Sequence, residues 1–325
     1  MQGDYRAIHS DLLVIDGLSA SSFDEALLPK LKASGVAGVH QTVGGRESFG
    51  DTVATVMKFR SFVESHGTEV TLATTAAGIE SARREGRIGV VMGFQGSDML
   101  RGDESLLPVF RELGVRIVQL AYNQRTWAGD GCTERTNCGL SLFGVRLVEA
   151  LNRLKMIVDC SHTGENTTLD AIEASSVPVI VSHTNVRALC DNPRGVSDRV
   201  IDAIARKGGV LGLTSFAYFL NKDRPATLAD YLDNVDYLVR RVGVDHVGVG
   251  LDLIEGRVYE PPLDPILFKP EAYPPLPWKY AEGLGSIVEI SNVTRGLMER
   301  DYPLESIRKI MGGNWLRMYR EIWGE

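Results

Sequence analysis

Short apolar runs alternate along this chain with segments whose apolar residues recur every three or four positions. Leu12 to Leu18, Val36 to Val43, Ile88 to Phe94, Val115 to Tyr122, Met156 to Cys160, Val177 to Val181, Val210 to Ser215 and His246 to Leu253 are predominantly apolar stretches of the length expected for buried strands. Between them lie helical patterns over Phe23 to Ala33, Asp51 to Ser65 and Thr227 to Val242; in the second, Val53, Val56, Met57, Phe59 and Val63 share one face. Strand and helix in strict alternation build parallel βαβ units with right-handed crossovers. Eight strands, seven of them followed by helices, predict an α/β fold, a (β/α)8 barrel of the TIM type filling residues 1–325 as one domain.

Several stretches fall outside that alternation. Val70 to Ala73 reads as an extended connection, because a helix over Ala76 to Glu85 follows it at once. Asn123 to Leu140 is too long for a simple turn and is expected to cover the active face. Glu260 to Trp278 contains PPLDP and YPPLP, cannot be regular structure, and should lie over a barrel face or edge. Two helices close the chain, one near Ser286 to Arg300 and one from Leu304 that resumes after Gly312-Gly313.

Composition narrows the class of partner. Forty-two acidic residues against 35 basic give a net charge of -7, and no block of Lys or Arg could neutralise a run of phosphates, which argues against nucleic acid. No stretch approaches the roughly 18 apolar residues of a membrane span, and the start of the chain lacks a basic region followed by a long apolar core. The expectation is a soluble, cytoplasmic protein with no membrane partner. Cys132, Cys138, Cys160 and Cys190 form no CxxC pair and read as reduced thiols, although Cys132 and Cys138 share one loop and could pair or bind a metal.

In a parallel barrel only the carboxyl ends of the strands project into the mouth. Here those ends carry Asp16 to Ala20, His40, Gln95, Tyr122, His162, His183, Ser215 and Asp252. His162 and His183 end neighbouring strands, each in a Ser-His pair, and two neutral imidazoles with a carboxylate suit a borderline divalent cation. A lone strand-end histidine is more often a hydrogen-bonded core residue; matching positions on adjacent strands favour a ligand pair. Asp252 ends the apolar run VGVGLDL, where a carboxylate must find a partner or lose its charge. His40 can point to either side of its strand. His9 and Asp11 form an HxD pattern but precede the first strand, at the stability face, and His66 and His246 fall at a helix end and a strand start, so structural roles are expected for all of these. Arg194, in DNPRGVSD, either clamps a substrate carboxylate or braces its own loop.

The chain resembles the renal, or membrane, dipeptidase family of amidohydrolase-type zinc enzymes. The resemblance rests on VIDG, IGVVMGFQG, VDCSHTG, PVIVSHTNVRALCDNPRGVSD, VGVGLDLIEG and IRKIMGGNWLRMY, occurring in order over nearly the whole length. It implies a barrel, commonly homodimeric, that hydrolyses dipeptides or related small amides. It also implies zinc ligands at His162 and His183, a catalytic aspartate at Asp252, a carboxylate-binding arginine at Arg194, and a substrate-binding position at Asn123. Departures are equally specific. The family's His-x-Asp metal motif after Asp-Gly is replaced by Leu18 and Ala20, its bridging glutamate by Gln95, and its carbonyl-polarising histidine by Tyr122. Without those carboxylates a second cation beside the first would be repelled. The expectation is at most one zinc, or another divalent metal, on His162 and His183, with Gln95 or Asp252 and water completing its shell. Asp252 would move the proton and Tyr122 would face a developing oxyanion. The alternatives are a small-molecule binding protein of the same fold without dipeptidase activity, or a mononuclear-metal enzyme of a different reaction type.

Overall fold

The computed structural model describes residues 4–324. Its nine strands are β1 (Val14–Ser19), β2 (Val36–Thr42), β3 (Val70–Leu72), β4 (Ile88–Phe94), β5 (Val115–Gln119), β6 (Ile157–Asp159), β7 (Ile180–Thr184), β8 (Val210–Leu213) and β9 (Val247–Val249). Every pairing is parallel, in the order β1-β2-β4-β5-β6-β7-β8-β9. The eight-stranded path closes on itself at the seam between β9 and β1. There Asp252 N–H donates to Leu18 O at 3.0 Å, Ala20 N–H donates to Leu253 O at 2.9 Å, and Leu251 N–H donates to the Asp16 carboxylate at 2.9 Å. Asp16 thus bonds by side chain where the two short ends would otherwise leave the ladder open. Its burial raises its pKa to about 7.

Two strand expectations are corrected. Val70 to Leu72 is a strand, not a mere connection: it pairs with the first half of β4 (Val70 to Ile88, Leu72 to Val90), while β5 takes the second half. It stays off the eight-strand path, so the barrel count is unchanged. The sixth predicted run starts three residues late, because Pro178 brings no N–H to a ladder and the pairing begins at Ile180. His183 therefore sits inside β7 rather than beyond it.

The barrel floor is apolar. Ile15, Val91, Ile117, Ile157, Ile180 and Val210, one from each of six strands, pack with Trp315, Met318 and Tyr319 of the helix Asn314–Trp323. This last helix plugs the amino-terminal end. Its indole needs room that the strands make by omitting side chains: a Cβ on Gly17 would lie 2.4 Å from the Trp315 ring, and one on Gly248 2.7 Å. Trp315 is wholly buried, and its N–H is satisfied by Val249 O at 2.9 Å. With the floor sealed, the interior opens only toward the carboxyl ends of the strands.

Candidate active site at the barrel mouth

Three residues at the mouth adopt left-handed backbone conformations that non-glycine residues rarely take: Asn123 (φ 63°), His162 (φ 62°) and Asp252 (φ 58°). Such strain, on the order of 1 kcal/mol per residue, persists where the surroundings impose it, and it gathers at functional sites. Each follows the end of a strand, β5, β6 and β9 respectively.

His162 and His183 meet. Their Nε2 atoms lie 2.8 Å apart, and the outward nitrogens fix the state of each ring. His162 Nδ1 lies 2.7 Å from Asn123 Oδ1. The Asn123 amide cannot turn over, because its Nδ2 donates to Leu267 O at 2.8 Å and to the Tyr273 hydroxyl at 3.0 Å. His162 Nδ1 must therefore be the donor, and its Nε2 carries the lone pair. His183 Nδ1 lies 2.8 Å from Ser182 Oγ, whose own proton goes to Asp159 Oδ2 at 2.6 Å, so His183 Nδ1 also donates and its Nε2 also carries a lone pair. Burial first, then the charge of Arg194, holds both imidazoles well below their usual pKa and hence neutral. Neutral imidazoles braced at Nδ1, with their Nε2 lone pairs turned toward one another, are in the form in which histidine binds metals.

The donor pair could take a divalent ion, and the positions of a second site carry few donors among the described residues. Leu18 and Ala20, at the positions of the absent His-x-Asp ligands, are buried apolar side chains. Gln95 presents a neutral amide with Nε2 3.4 Å from His183 Nε2. Among the described residues no three His, Cys, Asp or Glu side chains gather at metal-binding spacing. His40 does not take over the vacated role: its Nδ1 donates to Gly17 O at 2.7 Å and its Nε2 lies over Gly93, where a Cβ would be 2.0 Å away. It fills the lumen below the pair.

The other candidate residues surround the two imidazoles. The Tyr122 ring stacks on His162 at 4.0 Å, and the Arg46 guanidinium lies 4.4 Å above the ring centroid of Tyr122. Burial pushes the Tyr122 phenol well above its ordinary pKa, so it remains a hydrogen-bond donor. Asp252 has its pKa raised by burial to about 7, against the pull of Arg194 and Arg257. Arg194 is buried, with Nη2 3.4 Å from His183 O and its Nε unpartnered. Burial opposes its charge, but Tyr273, Cys132, Asp252 and Tyr122 outweigh that and hold the guanidinium ionised. Both ends of Asn123 are engaged, on His162 and on the segment around Leu267 and Tyr273, so it braces the imidazole.

The two covering segments expected from the sequence brace the site through partners that the motifs did not show. Residues 123–140 form a loop that Asp130 ties together, accepting from Arg125 Nε at 2.6 Å, Thr136 Oγ1 at 2.7 Å and Cys138 N–H at 2.8 Å. That loop grips His162 by its backbone, with Cys132 N–H donating to His162 O at 2.8 Å. Cys132, Cys138, Cys160 and Cys190 are all free thiols. The proline-rich stretch supplies Phe268, Tyr273 and Trp278, which pack with Phe216 and Phe219 as an aromatic cover beside Arg194. His9, His66 and His246 bond to Thr294 and Ser34, to Phe62, and to Gly209, all away from the mouth.

A parallel barrel whose carboxyl-end mouth holds a neutral, braced histidine pair belongs to the class of metal-dependent hydrolase barrels. Residues 24–261 match the membrane dipeptidase family, peptidase family M19, and the chain belongs to that family. It is 30% identical over 278 residues to the dipeptidase tcpJ of Claviceps purpurea, a match covering 85% of this chain and 60% of that protein, so the chain spans about three fifths of that relative's length. Among solved structures it resembles an amidohydrolase from Pseudomonas aeruginosa with TM-score 0.93 and 32% identity over 99% of both chains. A metallopeptidase from Rhodobacter sphaeroides, liganded with a phosphinate mimic of the dipeptide L-Ala-D-Ala, shares the fold with TM-score 0.81 and 20% identity, over 96% of this chain and 99% of that one. Among the described residues no helix is long and apolar enough to cross a membrane.

Proposed function

We propose that this protein is a dipeptidase-like metallohydrolase of a small amide, working with at most one metal ion, zinc or a similar divalent cation. The observation that carries the reading is the pair of lone-pair-bearing Nε2 atoms 2.8 Å apart, each fixed by a donor bond at Nδ1. His162 and His183 would hold the ion, and Gln95, turned to present Oε1, would complete its shell with water. When bound, the ion supplies Lewis acidity and lowers the pKa of water at the site.

The remaining steps belong to the chain. Arg194, buried and with an open Nε, binds the carboxylate of the substrate and sets the amide against the histidine pair. Asp252, titrating about 7, accepts a proton during attack and returns it to the leaving nitrogen. Tyr122, held protonated beside His162, donates toward the developing oxyanion. The aromatic cover keeps water from competing for these bonds. Because Leu18, Ala20 and Gln95 take away a histidine and two carboxylates of a second metal site, turnover of ordinary dipeptides should be slow.

Elemental analysis of the purified protein, paired with a panel of dipeptides and N-acyl amino acids, tests this. One equivalent of metal or less, lost in His183→Ala, with slow metal-dependent hydrolysis lost in Asp252→Asn, is the expected result. Two equivalents in the native protein, or hydrolysis that survives His183→Ala, overturns it. Installing Leu18→His, Ala20→Asp and Gln95→Glu together should raise dipeptide turnover.

A further inference from the structure

The half of the mouth that lacks metal ligands is bordered by open space. A cavity of about 230 Å³ lies there, at the carboxyl ends of β1, β2 and β4, lined among others by Gln41, Arg46, Glu47, Gln95 and Arg257. It adjoins the histidine pair through two of these residues: Gln95 reaches His183, and Arg46 stacks on Tyr122, which stacks on His162.

Its walls are built rather than accidental. The loops after β1 and β9 are knitted by Ser22 N–H to Glu255 O at 2.8 Å and Glu255 N–H to Ser21 Oγ at 3.0 Å, and the turn Arg257 N–H to Ile254 O at 3.0 Å sets Arg257 at the rim. The loop after β2 is pinned to β4 by Gln95 N–H to Gly44 O at 2.9 Å and Asp98 N–H to Gly45 O at 3.0 Å, which sets Arg46 opposite. Among the described residues neither Arg46 nor Arg257 makes an ion pair within 4.0 Å. Glu47, the one carboxylate in this lining, turns Oε2 to the backbone N–H groups of Gly45 and Arg46 at 3.0 and 3.1 Å. Gln41 is almost wholly buried. Its Nε2 donates to Ser21 O and Thr42 O, which fixes the amide, and its Oε1 has no partner. The cavity thus offers two guanidiniums free of direct ion pairs for an anion, although Arg46 also acts on Asp98 and Arg257 on Asp252, and one fixed carbonyl for a donor.

We infer that this cavity is a second anion subsite, and that the substrate of the proposed hydrolase is doubly anionic: an N-acyl amino acid whose acyl group ends in a carboxylate, held by Arg46 and Arg257, while Arg194 takes the amino-acid carboxylate. The inference rests on the hydrolase reading for the role of Arg194 and goes beyond it in naming the acyl side. An ammonium group at that end, as in an ordinary dipeptide, would face two guanidiniums and be repelled.

The test is binding by calorimetry, with the chelator-treated full-length protein and no turnover required. N-succinyl-L-alanine is compared with N-acetyl-L-alanine, which lacks the second carboxylate, and with L-alanyl-L-alanine, which replaces it with an ammonium. Succinylalanine should bind at least about tenfold more tightly than either, a difference of about 1.4 kcal/mol. That ratio should collapse toward 1 in Arg257→Gln and in Arg46→Gln; Arg257 is exposed, so its variant should fold. Equal or weaker binding of succinylalanine, no binding of any of the three, or a ratio that survives both variants overturns the subsite. The two readings fail separately: a succinyl preference without metal-dependent hydrolysis of any amide sinks the hydrolase alone, and hydrolysis without the preference sinks the subsite alone.

Discussion

Asp130 lies 1% exposed at the centre of the loop that grips His162, and replacing it with Asn tests how much of the site depends on that loop. Three donors converge on its carboxylate: Arg125 Nε, Thr136 Oγ1 and the Cys138 N–H. Burial alone would raise its pKa, but these donors bring it from 3.8 down to about 2. At 1.36 kcal/mol per unit the shift corresponds to about 2.4 kcal/mol, and the half-exposed Arg125 reduces this through solvent screening to about 1–2 kcal/mol. The folded-state pKa lies below the unfolded one. The contribution is therefore complete above about pH 4 and disappears as pH falls toward 2. Asn at this position keeps the shape but turns one oxygen into a donor facing other donors. Thermal melts should show Asp130→Asn lowered by about 1.5–3 °C at pH 7, with the gap from the native protein at least halved at pH 3. Hydrogen exchange at the Cys132 and Thr133 amides, bonded to His162 O and Asn123 O, should quicken in the variant. A gap that does not change with pH, or exchange at those amides that matches the native protein, would refute the reasoning.

Three further outcomes follow from the geometry. Asn123→Ala leaves the His162 Nδ1–H without its acceptor and should weaken zinc binding in a competition titration by about 10–100-fold; native affinity would show that the brace is idle. Trp315→Ala empties the plug between the glycines and should cost about 3–5 kcal/mol in urea unfolding, whereas a cost under about 1 kcal/mol would mean that the floor rests on something else. Gly212→Ala would drive a Cβ to 2.0 Å from Ser182 O, beside the residue that orients His183, so it should lower both stability and zinc affinity; a loss of stability alone would uncouple the two.

The strands of the barrel were legible where an apolar run is unbroken, as in Ile88 to Phe94, because burial on both faces of a parallel sheet needs no alternation. Val70 to Leu72 was missed because three residues interrupted by Thr71 carry too little pattern, and only the free edge of β4 makes them a strand. His162 and His183 were legible as a pair because each ends a strand in the same dipeptide. Their braces were not: Asn123 lies 39 positions from His162, and the Ser182 to Asp159 bond spans 23. The Trp315 plug was equally hidden, since its room is made by Gly17, Gly212 and Gly248 on three strands far away in the chain. An Asn directly after a strand, where a left-handed turn is tolerated, is the one local signal that could have singled out Asn123.

The Asn123 amide is held on one side by His162 and on the other by Leu267 O and Tyr273, in the proline-rich cover. One side chain is therefore a shared bond between the His162 imidazole and the proline-rich cover. Thermodynamic linkage makes that coupling reciprocal. On the proposed metal-binding reading, an ion between the imidazoles would favour the bonds that Asn123 makes to the cover, and breaking those bonds would weaken the ion's hold by the same factor. Metal content and access to the mouth are then one equilibrium read at two ends, and a protein stripped of its ion should breathe more freely along residues 260–278.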